Sequence, residues 1–116
     1  MSRPRLDTPL RQAIHTAMKE VSATYESLAN EIEGMTTERL FDCTARPANR
    51  YGTCVRLIET LEKKGATSFQ LWYWLARESG RFEFLKERDP AVFELLCDRA
   101  ALAGSKGKAG FFDVLS

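Results

Sequence analysis

Apolar residues recur at helical spacing along most of this chain, and the stops between the stripes are punctuated by threonine, proline and glycine. Leu10, Ala13, Ile14, Ala17, Met18 and Val21 form a first stripe, the pattern of an amphipathic helix with one face in a core. Thr8 stands where a capping side chain belongs. Pro9 takes the first helical position, where its missing N–H costs nothing. Tyr25, Leu28, Ala29 and Ile32 form a second stripe, ended by Gly34. The two stripes are nearly in phase, and Ser22-Ala23-Thr24 is read as a break with Thr24 as the new cap. A third, short helix is expected from Thr36 or Thr37 to about Thr44, with Leu40, Phe41 and Cys43 as its bulky residues.

Pro47, Asn49 and Gly52 make residues 45–52 a loop, because Pro47 biases Arg46 away from helix. Cys54, Leu57, Ile58 and Leu61 predict a fourth helix, stopped at Gly65, with Lys63 and Lys64 well placed for its dipole. A fifth is capped by Thr67 or Ser68 and runs to Ser79, ahead of Gly80. It is apolar on nearly every side, through Phe69, Leu71, Trp72, Tyr73, Trp74, Leu75 and Ala76. Such a helix sits centrally or forms an interface.

Beyond Gly80, Arg81-Phe82-Glu83-Phe84-Leu85 alternates polar and apolar and suits a strand or a short helix. Asp89 and Pro90 restart a helix through Val92, Phe93, Leu95, Leu96, Ala100 and Ala101. Residues 104–110, rich in glycine and lysine, read as a linker, and Phe111-Phe112-Asp113-Val114-Leu115 as an apolar end. The layout is an arm over residues 1–8, a helical domain over 9–88, and a C-terminal helix and flexible tail over 89–116. The expected fold is all-α, a small bundle of five to six short helices containing a helix-turn-helix, with a C-terminal helical tail. Trp72, Trp74, Phe93, Leu96, Phe111 and Phe112 are the residues expected to drive oligomerisation, since they offer more apolar surface than 116 residues easily hide.

Composition narrows the function. The chain is 44% apolar and 28% charged, with a formal net charge of +1, the profile of a globular domain. Its longest apolar run, Leu71-Trp72-Tyr73-Trp74-Leu75-Ala76, falls far short of the roughly 18 residues of a membrane span. The N-terminus lacks the apolar stretch of a signal peptide. Cys43, Cys54 and Cys97 form no C-x-x-C pair, which suits a reducing cytoplasm. One histidine and scattered cysteines make a zinc site within one chain a poor expectation.

Catalytic chemistry finds little support. Gly104-Ser105-Lys106-Gly107-Lys108 lacks the spacing and the flanking strand and helix of a phosphate loop. His15 flanks an apolar stripe as boundary histidines do, and Glu31 and Glu33 point to different helix faces. No serine or cysteine carries the motif of an activated nucleophile. The expectation is a non-enzyme with no cofactor, no metal and no membrane partner.

The segment from Thr24 to Leu40 is the informative one. A helix-turn-helix needs a small residue inside its first helix, a residue tolerant of positive φ in the turn, and apolar anchors on both sides. Ala29 is the small residue, Gly34 the turn, and Leu28, Ile32, Met35 and Leu40 the anchors. One residue more than the usual pattern separates Ala29 from Gly34. Together with Val55-Arg56-Leu57-Ile58-Glu59-Thr60 and Leu71-Trp72-Tyr73-Trp74-Leu75-Ala76-Arg77-Glu78-Ser79-Gly80, this segment resembles the phage regulatory family that includes the CII-type transcription activators. The resemblance spans Leu10 to Phe84. It implies a helical domain that binds double-stranded DNA as a homodimer or tetramer, with a recognition helix beginning at Thr36.

Carried over by position, Thr36, Thr37, Glu38, Phe41 and Asp42 would face the groove. Arg39, Arg46 and Arg50 would supply phosphate attraction, with Arg56 and with Arg3, Arg5 and Arg11 at the arm. Glu38 and Asp42 depart from the Arg, Asn or Gln that groove-reading helices favour, although carboxylates accept from cytosine N4. From Thr36 to Arg56 four basic side chains stand against two acidic ones, a balance of +2 that a dimer doubles.

A second resemblance is to death-fold domains of the caspase-recruitment type, through residues 57–69 and 75–80. It implies an adaptor that assembles homotypically through opposed charge faces. Glu26, Glu31, Glu33, Glu38 and Asp42 would meet Arg46, Arg50 and Arg56 of a neighbour.

Overall fold

A computed structural model describes residues 8–80 and 87–101 of the chain. Among the described residues there are six α-helices and no strand. They are α1 (Pro9–Glu20), α2 (Tyr25–Glu31), α3 (Thr37–Ala45), α4 (Tyr51–Lys63), α5 (Phe69–Glu78) and α6 (Pro90–Ala101). The all-α expectation holds, and helix starts fall where the capping residues placed them. Thr8 Oγ1 accepts from the Arg11 amide at 3.3 Å, and Thr36 Oγ1 accepts from the Arg39 amide at 3.2 Å. At Thr24 a reciprocal capping box forms: the Thr24 amide donates to Ser27 Oγ at 2.9 Å and the Ser27 amide to Thr24 Oγ1 at 3.1 Å.

The break between α1 and α2 is made by Ser22, whose φ of +54° ends α1 in a left-handed residue. Gly34, in the middle of the α2–α3 connection, has φ +72°, a backbone that glycine adopts without strain.

The start of α5 departs from the expected cap. Ser68 occupies the N-cap position, yet its side chain makes no capping bond. Instead Ser68 Oγ donates to Glu62 Oε2 of α4 at 2.6 Å, and Trp72 Nε1 donates to the same oxygen at 3.0 Å. The Glu20 carboxylate of α1 accepts the Thr67 amide and hydroxyl at 2.9 and 3.1 Å. Two carboxylates therefore stand at the positive end of α5, where the helix dipole favours them.

That helix is central. Phe69, Leu71, Trp72, Tyr73, Leu75 and Ala76 are buried, and α5 packs against α1, α4 and α6. Trp72, assigned to an interface from the sequence, is a core residue instead, because its ring fills the bundle while Glu62 satisfies its N–H. Leu96 is likewise fully buried on the inner side of α6, so α6 extends the same core rather than projecting from it. Trp74 and Phe93 are half-buried. Phe111 and Phe112, the segment Arg81–Leu85 and the linker lie outside the described residues.

Candidate nucleic-acid interface

α3 divides along its length. Leu40, Cys43 and Thr44 point inward and are buried, whereas Thr37, Glu38, Arg39 and Phe41 are exposed and Asp42 is half-exposed. The turn Arg46–Arg50 folds back beside this outer face. Thr37, Glu38, Arg39, Phe41, Asp42, Ala45, Arg46, Arg50 and Thr53 line one open depression of about 700 Å³. Thr37, Glu38, Arg39, Phe41, Asp42, Arg46 and Arg50, all assigned from the sequence to DNA contact, line it; Arg11 and Arg56 do not, Thr36 caps the helix, and Arg3 and Arg5 lie outside the described residues.

Within the depression Asp42 meets both arginines of the turn. Its carboxylate lies 3.4 Å from Arg46 Nε and 3.4 Å from Arg50 Nε. All three side chains are more than a third exposed, so each pair is screened and worth at most about 1 kcal/mol. The contacts set direction more than stability: they hold two guanidinium groups over the C-terminal half of α3.

Two more arginines fasten the connection between α2 and α3. Arg39 Nη1 donates to the Gly34 carbonyl at 3.0 Å, and Arg56 Nη2 of α4 donates to the Glu33 carbonyl at 2.8 Å. Lys64 pairs with Glu31 at 2.8 Å. Around this connection Leu28, Ala29, Ile32 and Leu40 are buried and Met35 is half-buried. A Cβ added at Gly34 would meet nothing within 4 Å, so the glycine serves the backbone angle and not a close helix crossing.

Arg11 was grouped from the sequence with the phosphate-seeking arm. The structure corrects this, for Arg11 is 1% exposed. Its Nε donates to Thr44 Oγ1 at 2.9 Å and its Nη2 to the Phe41 carbonyl at 2.9 Å. Nη1 is buried with no hydrogen-bond partner among the described residues. The guanidinium lies over the face of the Phe41 ring, 4.2 Å from its centroid. Burying a cation without a carboxylate costs several kcal/mol that an apolar residue of similar size would avoid. The signal was present in the sequence: Arg11 stands three residues before Ile14 and seven before Met18, on the inward face. Arginine's usual exposure overrode it.

Tyr25 and His15 complete this corner. The Tyr25 ring meets Phe41 edge-on at 5.7 Å, and His15 Nε2 lies 2.9 Å from the Tyr25 hydroxyl. Burial raises the Tyr25 pKa. Desolvation, then the positive charges of Arg11 and Lys19, lower that of His15, so its neutral form is favoured. Cys43 and Cys54 are buried and donate to the carbonyls of Leu40 and Cys43. The hydrogen bond with Cys43, then burial, pushes the Cys54 thiol well up, the environment of an inert cysteine. Among the described residues no group of three His, Cys, Asp or Glu side chains is placed to hold a metal ion. No described helix is long and apolar enough to cross a membrane. No family model, curated protein or solved structure matches the chain.

Proposed function

We propose that this protein binds double-stranded DNA as an oligomer and regulates transcription in the manner of phage regulators, with the outer face of α3 against the major groove. The observation that supports this most is the gathering of Thr37, Glu38, Arg39, Phe41, Asp42, Arg46 and Arg50 on one exposed depression. A polar helix face beside two exposed cations suits a groove with flanking phosphates. Arg46 and Arg50, past the C-terminal end of α3, reach phosphates; Thr37 and Glu38, in its first turn, reach base edges. The competing adaptor requires acidic side chains of one copy to meet Arg46 and Arg50 of the next. Within the chain Asp42 lies against both arginines and Lys64 against Glu31, weak exposed pairs that a phosphate or a neighbour's carboxylate would displace alike.

The test is fluorescence anisotropy of a labelled duplex titrated at several salt concentrations. Arg46→Ala with Arg50→Ala weakens binding to all sequences. It also flattens the plot of log affinity against log salt by roughly one to two, since each lost phosphate contact releases about 0.9 fewer counterions. Asp42→Asn acts in the opposite direction: it frees both guanidinium groups and tightens non-specific binding. A wild-type protein without salt-dependent binding at low ionic strength overturns the proposal.

A further inference from the structure

Phe41 is the apolar element of the α3 face and, with Leu95, one of the large apolar side chains left exposed among the described residues, at 44%. Exposure alone assigns it nothing. Its support does. One ring face rests on the Arg11 guanidinium at 4.2 Å, and Tyr25 packs edge-on against it at 5.7 Å. Arg11 is itself pinned by Thr44 Oγ1 and by the carbonyl of Phe41. The ring is thus held from below and from one side, while its outer surface borders the depression containing Arg39, Arg46 and Arg50. The ordering cost of an aromatic contact is largely met before any partner arrives.

We infer that Phe41, propped on buried Arg11, reads thymine 5-methyl groups in the major groove, so that this protein prefers duplexes carrying thymine over the same duplexes carrying uracil. The inference rests on the DNA-binding function proposed above. The thymine methyl is the apolar mark of a base pair in the major groove, and a phenyl ring is among the side chains that contact it. The surrounding cations fit the phosphates on either side of such a contact. Arg11 is a positioning residue here: it touches no DNA and acts through the ring. A leucine at position 11 would fill the space without burying a charge, but it would not stack on Phe41.

The experiment compares one mixed-sequence duplex of about 24 base pairs, a little over two helical turns, with the same duplex containing uracil for every thymine. Wild-type protein is expected to bind the thymine duplex about fourfold more tightly for each methyl group it buries. Phe41→Ala removes the ring from over Arg11 and leaves the inward residues Leu40 and Cys43 in place; with helix content kept, it brings the ratio close to one while the salt slope stays as in wild type. Arg11→Met keeps the helix content and melting temperature and also lowers the ratio. Equal wild-type affinity for the two duplexes overturns the inference and leaves the proposed function standing, as does a ratio that survives in Phe41→Ala. Absence of wild-type binding to either duplex at low salt removes the proposed function, and this inference with it.

Discussion

At the scale of single residues, the buried polar groups carry most of what can be tested without a ligand. Glu78 Oε2, at the end of α5, accepts the Leu10 amide at 2.7 Å and so satisfies one of the unpaired N–H groups at the start of α1. Burial raises its pKa above 4.5, against the lowering effect of the Leu10 amide and the Thr8 hydroxyl. A carboxyl group whose pKa is higher in the folded state binds more protons there than in the unfolded chain. Its stabilising contribution is complete below pH 4.5 and is lost as pH rises through the folded value. Glu78→Gln keeps an acceptor for Leu10 and removes this loss. Urea denaturation between about pH 4 and pH 7 should therefore show a smaller decline, or a steeper rise, in the variant than in wild type. Identical pH profiles would rule the account out. His15 works in the other direction: its lowered pKa removes stability as pH falls below 6.5, equally in both proteins, so the comparison isolates Glu78.

At the scale of elements, each helix takes its bounds from local chemistry, but α5 takes its place from its neighbours. Nothing within α5 caps its own N-terminus. Glu62 of α4 receives Ser68 Oγ and Trp72 Nε1, both from buried residues, and this one carboxylate ties α4 to the central helix. Glu62→Ala strands both donors and is expected to destabilise the fold by about 2–3 kcal/mol, the scale of hydrogen bonds to a charged group. Glu62→Gln should cost about half as much, because an amide oxygen accepts without the charge. Chemical denaturation measures both, and a loss below about 0.5 kcal/mol in Glu62→Ala, the level of an ordinary surface change, would show that α5 is held by packing alone.

At the scale of the whole molecule, the bundle closes around α5 and leaves two different surfaces. One is the α3 depression with its arginines. The other is apolar, where Leu95 is 45% exposed on α6 and Trp74 and Phe93 are half-buried around Arg77, whose guanidinium lies 5.7 Å and 5.9 Å from their rings. If the protein binds DNA as an oligomer, this second surface is where copies meet. Light scattering at micromolar concentration should then give a mass above that of one chain, and Leu95→Lys should lower it. A monomer at every concentration would end the oligomer and any simple palindromic operator with it.

The amino-acid sequence by itself determined what depends on a few neighbouring residues. Helical periodicity gave α1 to α6, and Thr8 and Thr24 marked two helix starts to the residue, since a capping side chain bonds an amide only two or three positions away; for α3 it left Thr36 or Thr37 open, and Thr36 is the cap. The faces of α3 were less legible: Leu40, Phe41 and Cys43 stood together as its bulky residues, and in the fold Leu40 and Cys43 turn inward while Phe41 is exposed. Four decisions were made by the tertiary structure alone. Trp72 became core and not interface; Arg11 moved from the arm to the interior; the Ser68 hydroxyl turned from capping to Glu62; and Asp42 took Arg50, eight positions on, beside its i+4 neighbour Arg46. Each depends on groups brought together from different helices or across a turn, as with Arg11 and Thr44, 33 positions apart. Periodicity records which face of a helix is apolar. It carries no information on which distant carboxylate, hydroxyl or ring will meet that face once the chain has closed.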